Sequence, residues 1–222
     1  TAKGLYNRDK STNGCILQID EDNTIKEVLT NPMMSGECNI SLDMFIMNTD
    51  FLKQIVLEAI SKNQKSLIRD VLQARKDEFV FKAYEHKGSF FKIDSLEAYY
   101  KANLALLDAK KRDSIFNREA PIYTKVGDNA PVKYGLESNV KNSLVADGCM
   151  IEGTVENCVL FRGVKIGKNA VVRNCVLMQG TEIADGCSID SIVADKNVTI
   201  SENRVLTGSS EYPLYLGKKA KI

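Results

Sequence analysis

The alternation of apolar and polar positions divides this chain into two stretches with different periods. Up to about Asn117 the pattern moves between period two and period 3.6. "GCILQID" (14–20) and "NTIKEVL" (23–29) read as two strands of a hairpin around the acidic turn Asp20–Asn23. "SLDMFIMN" (41–48) is an apolar run suited to a strand, and "EFVFKAY" (78–84) alternates as a strand does. "TDFLKQIVLEAISK" (49–62) starts at a Thr or Asp cap and sets Leu52, Ile55, Val56, Ala59 and Ile60 on one helical face. "SLIRDVLQAR" (66–75) is a second helix. Asp94 and Glu97 have the spacing of a capping box, which predicts a helix from about Ser95 to Lys111. Strands alternating with helices predict part of an α/β sheet.

The second stretch repeats. "NSLVADGC" (142–149), "NCVLFRGV" (157–164), "NCVLMQGT" (174–181) and "DSIVADKN" (190–197) share one pattern, with starts 15, 17 and 16 residues apart. Three are followed by an apolar step: Val164–Ile166, Thr181–Ile183 and Val198–Ile200. Apolar residues recur at Leu160, Ile166, Val172 and Met178, then at Ile183 and Ile189. A six-residue period fits neither a helix nor an antiparallel hairpin. It predicts a triangular parallel β-helix in which each hexad is a short strand plus a corner. Small residues at Ser143, Cys158, Cys175 and Ser191 are expected to stack one above another. Most cysteines are thereby expected to be small, buried, reduced core residues.

Composition narrows the chemistry. Thirty Lys and Arg against 29 Asp and Glu leave no charge excess to favour nucleic acid or an anionic membrane. No apolar run approaches the ~20 residues of a membrane span, and a cytoplasmic protein is expected. The six cysteines have no C-x-x-C spacing, and His86 is the single histidine, so the usual zinc spacings and histidine-rich metal sites are excluded. The chain opens on Thr1 rather than Met and is expected to be a truncated or processed product.

The order "LEAYYKANLALLD" (96–108), "PIYT" (121–124) and "SNVKNSLVADGCMIEGTVENCVLFRGVKIGKNAVVRNCVL" (138–177) resembles the glucose-1-phosphate adenylyltransferases of bacterial glycogen synthesis. The resemblance covers nearly the whole chain. It implies the C-terminal part of an α/β, Rossmann-like nucleotidyltransferase domain over 1–117, then a left-handed parallel β-helix of hexapeptide repeats over 118–222. Enzymes of that family join ATP to glucose 1-phosphate with Mg²⁺, giving ADP-glucose and pyrophosphate. Their nucleotide site uses a glycine-rich loop, whereas the first-half glycines here (Gly4, Gly14, Gly36, Gly88) are isolated. No nucleotide site is expected in this chain.

Three family motifs are degenerate. "LTNP" (29–32) places Asn31 where the family has a lysine that contacts the sugar phosphate. "NISLDMF" (39–45) places Asn39 at a glucose-binding glutamate and Asp43 at a glycine. On "GSFFKIDS" (88–95), Lys92 stands at the metal-holding aspartate. An ammonium has no lone pair for Mg²⁺ and repels it, and Asp94, two residues on, is expected to cap the following helix. The resemblance thus points to the family's GlgD-type, catalytically impaired branch. It implies no catalytic residue and no cofactor in this chain, with Mg²⁺ confined to a catalytic partner subunit in a hetero-oligomer; a homo-oligomer is the alternative assembly.

Two other readings remain open on the sequence. A hexapeptide-repeat acyltransferase would use a histidine base in or near its β-helix, and His86 lies well before it. A pure oligomerisation scaffold would bind no ligand. Arg118, Lys125 and Lys133 are candidates for an anion-effector site or for a solvated basic surface, and Lys218, Lys219 and Lys221 are expected in a solvated tail.

Overall fold

The computed structural model of the protein describes residues 2–8 (main chain only), 14–30, 32, 36–124 and 126–222. Two compact units form, spanning 1–90 and 91–222. The segment 91–117, assigned to the first domain from the sequence, groups by its contacts with the β-helix.

The first unit is a small α/β unit around a mixed sheet of order β3-β2-β4-β1-β5. Its strands are β1 (Ala2–Arg8), β2 (Cys15–Ile19), β3 (Ile25–Thr30), β4 (Gly36–Ser41) and β5 (Tyr84–Glu85). β2 and β3 form the expected hairpin, and Asn23 closes its turn with φ +64°, a conformation asparagine tolerates. Residues 42–48 are not a strand: β4 ends at Ser41, where Asp43 (φ +56°) turns the chain and bonds the Ser41 hydroxyl. The stretch 78–84 contributes only a bridge of Lys82 to Thr24 before β5.

Helix α1 (Thr49–Ser61) is capped by Asn48, whose Oδ1 accepts from the N–H groups of Asp50 and Phe51. Of its five expected core residues only Ile55 is fully buried, while Val56 and Ile60 are 45% and 72% exposed. The reason is competition. A π-helical turn over Ile68–Gln73 supplies Leu72 to the core of Cys15, Leu17, Ile25, Val28 and Ala83. α1 is held by edge contacts instead: Glu58 to Arg75 at 2.9 Å, Phe51 edge-on to Phe79, and the Arg75 guanidinium 4.5 Å above the Phe79 ring.

The second unit contains the parallel β-helix. One face is built by strands Lys133–Tyr134, Met150–Ile151, Lys165–Ile166, Glu182–Ile183 and Thr199–Ile200. The second face comprises Asn139–Lys141, Thr154–Glu156, Val171–Arg173, Ser188–Asp190 and Val205–Thr207. The third comprises Leu144–Val145, Val159–Leu160, Val176–Leu177, Ile192–Ala194 and Leu214–Leu216. Register runs Asn139, Thr154, Val171, Ser188, Val205, so a coil takes 15 residues once and 17 thereafter.

A coil of 17 is two steps of six and one of five, which corrects two sequence assignments. The inward residue after Val172 is the fully buried Leu177, not Met178. The small-residue row runs Ser143, Cys158, Cys175 and then Ile192: Ser143 Oγ accepts from Cys158 N–H, and Cys158 Sγ accepts from Cys175 N–H. Ser191 belongs one place earlier, in the corner row Asn142, Asn157, Asn174, Ser191, all with φ between +42° and +54°. Asparagine is enriched there because its short amide relieves the left-handed backbone. Where the repeat places Gly153, a Cβ would lie 2.4 Å from the Ala170 carbonyl, so only glycine fits.

Cys149, Cys158, Cys175 and Cys187 are thiols and fully buried, as the small-core reading expects. Their thiols donate to main-chain carbonyls, Cys149 to Phe161 and Cys187 to Ser201. The C-terminal lysines are not a tail. Lys219 turns the last corner with φ +62°, Lys221 bridges Thr199, and Ile222 N–H donates to the Thr199 carbonyl.

Candidate functional site

The stretch around Lys92, which the resemblance sets against the family's metal-holding motif, leads into α2 (Leu96–Ala105). Ser95, in an extended conformation, caps this helix: its Oγ accepts from Ala98 N–H at 3.0 Å. Asp94 therefore does not act as the cap, and the expected capping box does not form. Glu97 turns to Lys101 one helical turn on, at 2.7 Å. Asp94 is taken by Lys92, whose ammonium lies 2.9 Å from Asp94 Oδ2 with both side chains mostly buried. The angle is poor for a hydrogen bond, so the contact is one of charge with charge.

These residues do not fit a divalent cation. The carboxylate nearest the family's metal position is already neutralised by a lysine, and an ammonium offers no lone pair. Among the described residues no three His, Cys, Asp or Glu side chains converge.

Asn39 is half-buried on β4, opposite Leu5 of β1. Asn31 lies outside the described residues, as does Lys125. Asp43 holds the left-handed conformation that a glycine would supply at that motif position, and its charge adds to burial in raising the Cys15 thiol to about 11. Arg118 sits in an irregular exposed segment, and Lys133 begins the first face of the β-helix, also exposed. His86 stacks edge-on to Phe90, and a Cβ at Gly88 would strike its ring.

Sequence reasoning missed Tyr100. It is 2% exposed, packs on Val176 and Val193 of the third face, and its hydroxyl donates to the Asn174 carbonyl at 2.7 Å. Burial pushes that hydroxyl above its ordinary pKa. Leu104, one turn along, and Met178 join the same cluster. The expected helix to Lys111 is in fact two: α2 ends near Ala105, and Asp108 caps α3 (Ala109–Ile115) by accepting from the N–H groups of Lys110 and Lys111. A signal for the break was present in "LLDAKK", since aspartate is a strong cap.

An α/β unit followed by a hexapeptide-repeat β-helix with a helix packed on its third face defines the class of fold. Residues 130–211 match the family model described as GlmU-like, C-terminal hexapeptide. The chain is 42% identical over 178 residues to the glycogen biosynthesis protein GlgD of Bacillus subtilis, an alignment covering 80% of this chain and 52% of that protein. It is likewise 42% identical to GlgD of Geobacillus stearothermophilus, over 60% of this chain and 38% of that one. The glucose-1-phosphate adenylyltransferase of Mycoplasma mobile is 33% identical over 71% of this chain and 42% of its own length. The chain belongs to the glucose-1-phosphate adenylyltransferase family, in its GlgD-type branch, and spans about half the length of the curated relatives it matches.

Proposed function

We propose that the protein to which this chain belongs works in bacterial glycogen biosynthesis as a catalytically impaired, regulatory subunit of a glucose-1-phosphate adenylyltransferase. It assembles in the cytoplasm with a catalytic subunit, which alone holds Mg²⁺ and makes ADP-glucose from ATP and glucose 1-phosphate. The observation that supports this reading is the Lys92–Asp94 pair: the residue that the resemblance aligns with a metal-holding carboxylate is a lysine, and it neutralises the nearest acid. Asn39 in place of an acidic residue supports the same conclusion, because a neutral amide cannot replace a carboxylate's two acceptors on sugar hydroxyls. A β-helix buries each coil only against its neighbours, which supports a role in assembly.

The test is ADP-glucose synthesis by the full-length protein, alone and mixed with its catalytic partner. No turnover alone, together with a changed rate or effector response in the mixture, is the expected result. Turnover by the protein alone at the partner's rate would refute the reading.

A further inference from the structure

The α/β unit leaves uncovered several apolar residues whose spacing is that of a core-facing helix. Leu52, Val56 and Ile60 follow one another at single turns of α1, and all three are exposed. They form a stripe beside the inward face of Phe51 and Ile55. Those two residues in turn line, with Phe45, Ile46, Val71 and Val80, an open groove of about 390 Å³. Ile46 is fully exposed and Val80 largely so. The β-helix differs: on its first face Ile151, Ile166, Ile183 and Ile200 are all turned inward and buried. An exposed apolar surface that joins a stripe to a groove marks a contact with further protein.

The sheet of the same unit is open as well. β5 meets β1 only at Ala2 and Lys3, and among the described residues no strand pairs with the outer edge of β1 from Gly4 to Arg8. Such an edge invites pairing with more chain.

Length indicates which chain. The alignment with GlgD of Bacillus subtilis takes 80% of this chain but only 52% of that protein. The hexapeptide model matched at 130–211 is described as C-terminal, so the unmatched half of such a protein comes before the α/β unit. A segment tethered to that unit meets its surface at a high effective concentration, ahead of any separate molecule.

We propose that the stripe of Leu52, Val56 and Ile60, with the groove beside it, is the seat of the N-terminal half of the full-length protein, which completes the α/β unit as one domain. The inference rests on the family membership and not on the regulatory reading, so a result against one leaves the other standing.

The test places single cysteines on α1 of the full-length protein. Val56→Cys and Ile60→Cys probe the stripe, and Gln54→Cys, on the exposed side turned away from it, is the reference. Native alkylation by iodoacetamide is read by peptide mass mapping at low and high protein concentration, and circular dichroism checks folding. A covered thiol reacts only through local opening, so both stripe variants are expected to react at least about tenfold more slowly than Gln54→Cys, equally at both concentrations. Stripe variants that react as fast as Gln54→Cys would overturn the proposal. So would protection confined to high concentration, which would place a second copy on this surface, or protection that needs added catalytic subunit. If Val56→Cys fails to fold, Ile60→Cys decides.

Discussion

Tyr100 sets how firmly α2 is attached to the β-helix, and its hydroxyl and ring can be tested separately. Tyr100→Phe removes the 2.7 Å bond to the Asn174 carbonyl but keeps the ring on Val176 and Val193. A hydrogen bond of this kind contributes about 1 kcal/mol net, and that loss raises the population of the undocked helix about fivefold. Tyr100→Ala also removes a ring that is almost wholly buried, a loss of about 3–5 kcal/mol, which raises the same population by roughly 150-fold or more. The Lys101–Glu211 pair is half-exposed at both ends, so Lys101→Ala should shift the equilibrium by only about 0–1 kcal/mol. Hydrogen exchange read by mass spectrometry on peptides covering 96–105 measures this opening, with 171–194 as an internal reference. The expected order of exchange is wild type, Lys101→Ala, Tyr100→Phe, Tyr100→Ala, with the reference peptide unchanged in the first three. Equal exchange in wild type and Tyr100→Ala would refute the claim that this side chain anchors the helix.

Four further outcomes follow from the structure. Cys38 is the one half-buried cysteine, so alkylation of the native protein should label it first, with Cys149, Cys158, Cys175 and Cys187 reacting only after denaturation, as peptide mass mapping would show. Burial, with Asp43, raises Cys15 to about 11, so its neutral thiol favours the folded state below pH 9 and that advantage fades as pH rises from about 9 to 11; its alkylation rate should climb across that window, and a rise centred near pH 9 would contradict it. At the corner residue Asn157 (φ +54°), Asn157→Gly should lower stability less than Asn157→Ala, by about 1 kcal/mol, in urea denaturation followed by circular dichroism. Lys92→Asp in the full-length protein should leave ADP-glucose synthesis absent in a coupled assay, since Asn31 and Asn39 remain and the new carboxylate lies beside Asp94.

The β-helix was legible from the sequence because its apolar repeat leaves little freedom: an inward residue every six positions has one closed solution. The period alone could not say where a corner loses a residue. Leu177 and Met178 are both apolar, and only the register of Val159 with Val176 decides which faces inward. The same one-residue offset separates Ser191 from Ile192. Local signals failed where two residues competed for one role. Asp94 and Ser95 can each cap a helix, and Lys92 removed Asp94 from the contest by charge pairing. On α1 the 3.6-residue pattern was real, but the π-helical turn took the core position that the helix was expected to fill. Lys92 was visible as a residue type, whereas its pairing with Asp94 was visible only in three dimensions.

The corner rows make the length of this protein quantised. Asn142, Asn157, Asn174 and Ser191 turn the chain at the same point of successive coils, as do Gly148, Gly163, Gly180 and Asn197. Excising residues 154–170 would bring Val171 to follow Gly153, landing every later corner on an existing one and every inward side chain back inside. Removing one residue fewer would turn the whole downstream wall inside out. Insertions and deletions in such a chain are therefore tolerated in whole coils or at the corners, and the five extra residues between Val193 and Tyr215, looped out around Ser209–Tyr212, are an instance of the second kind.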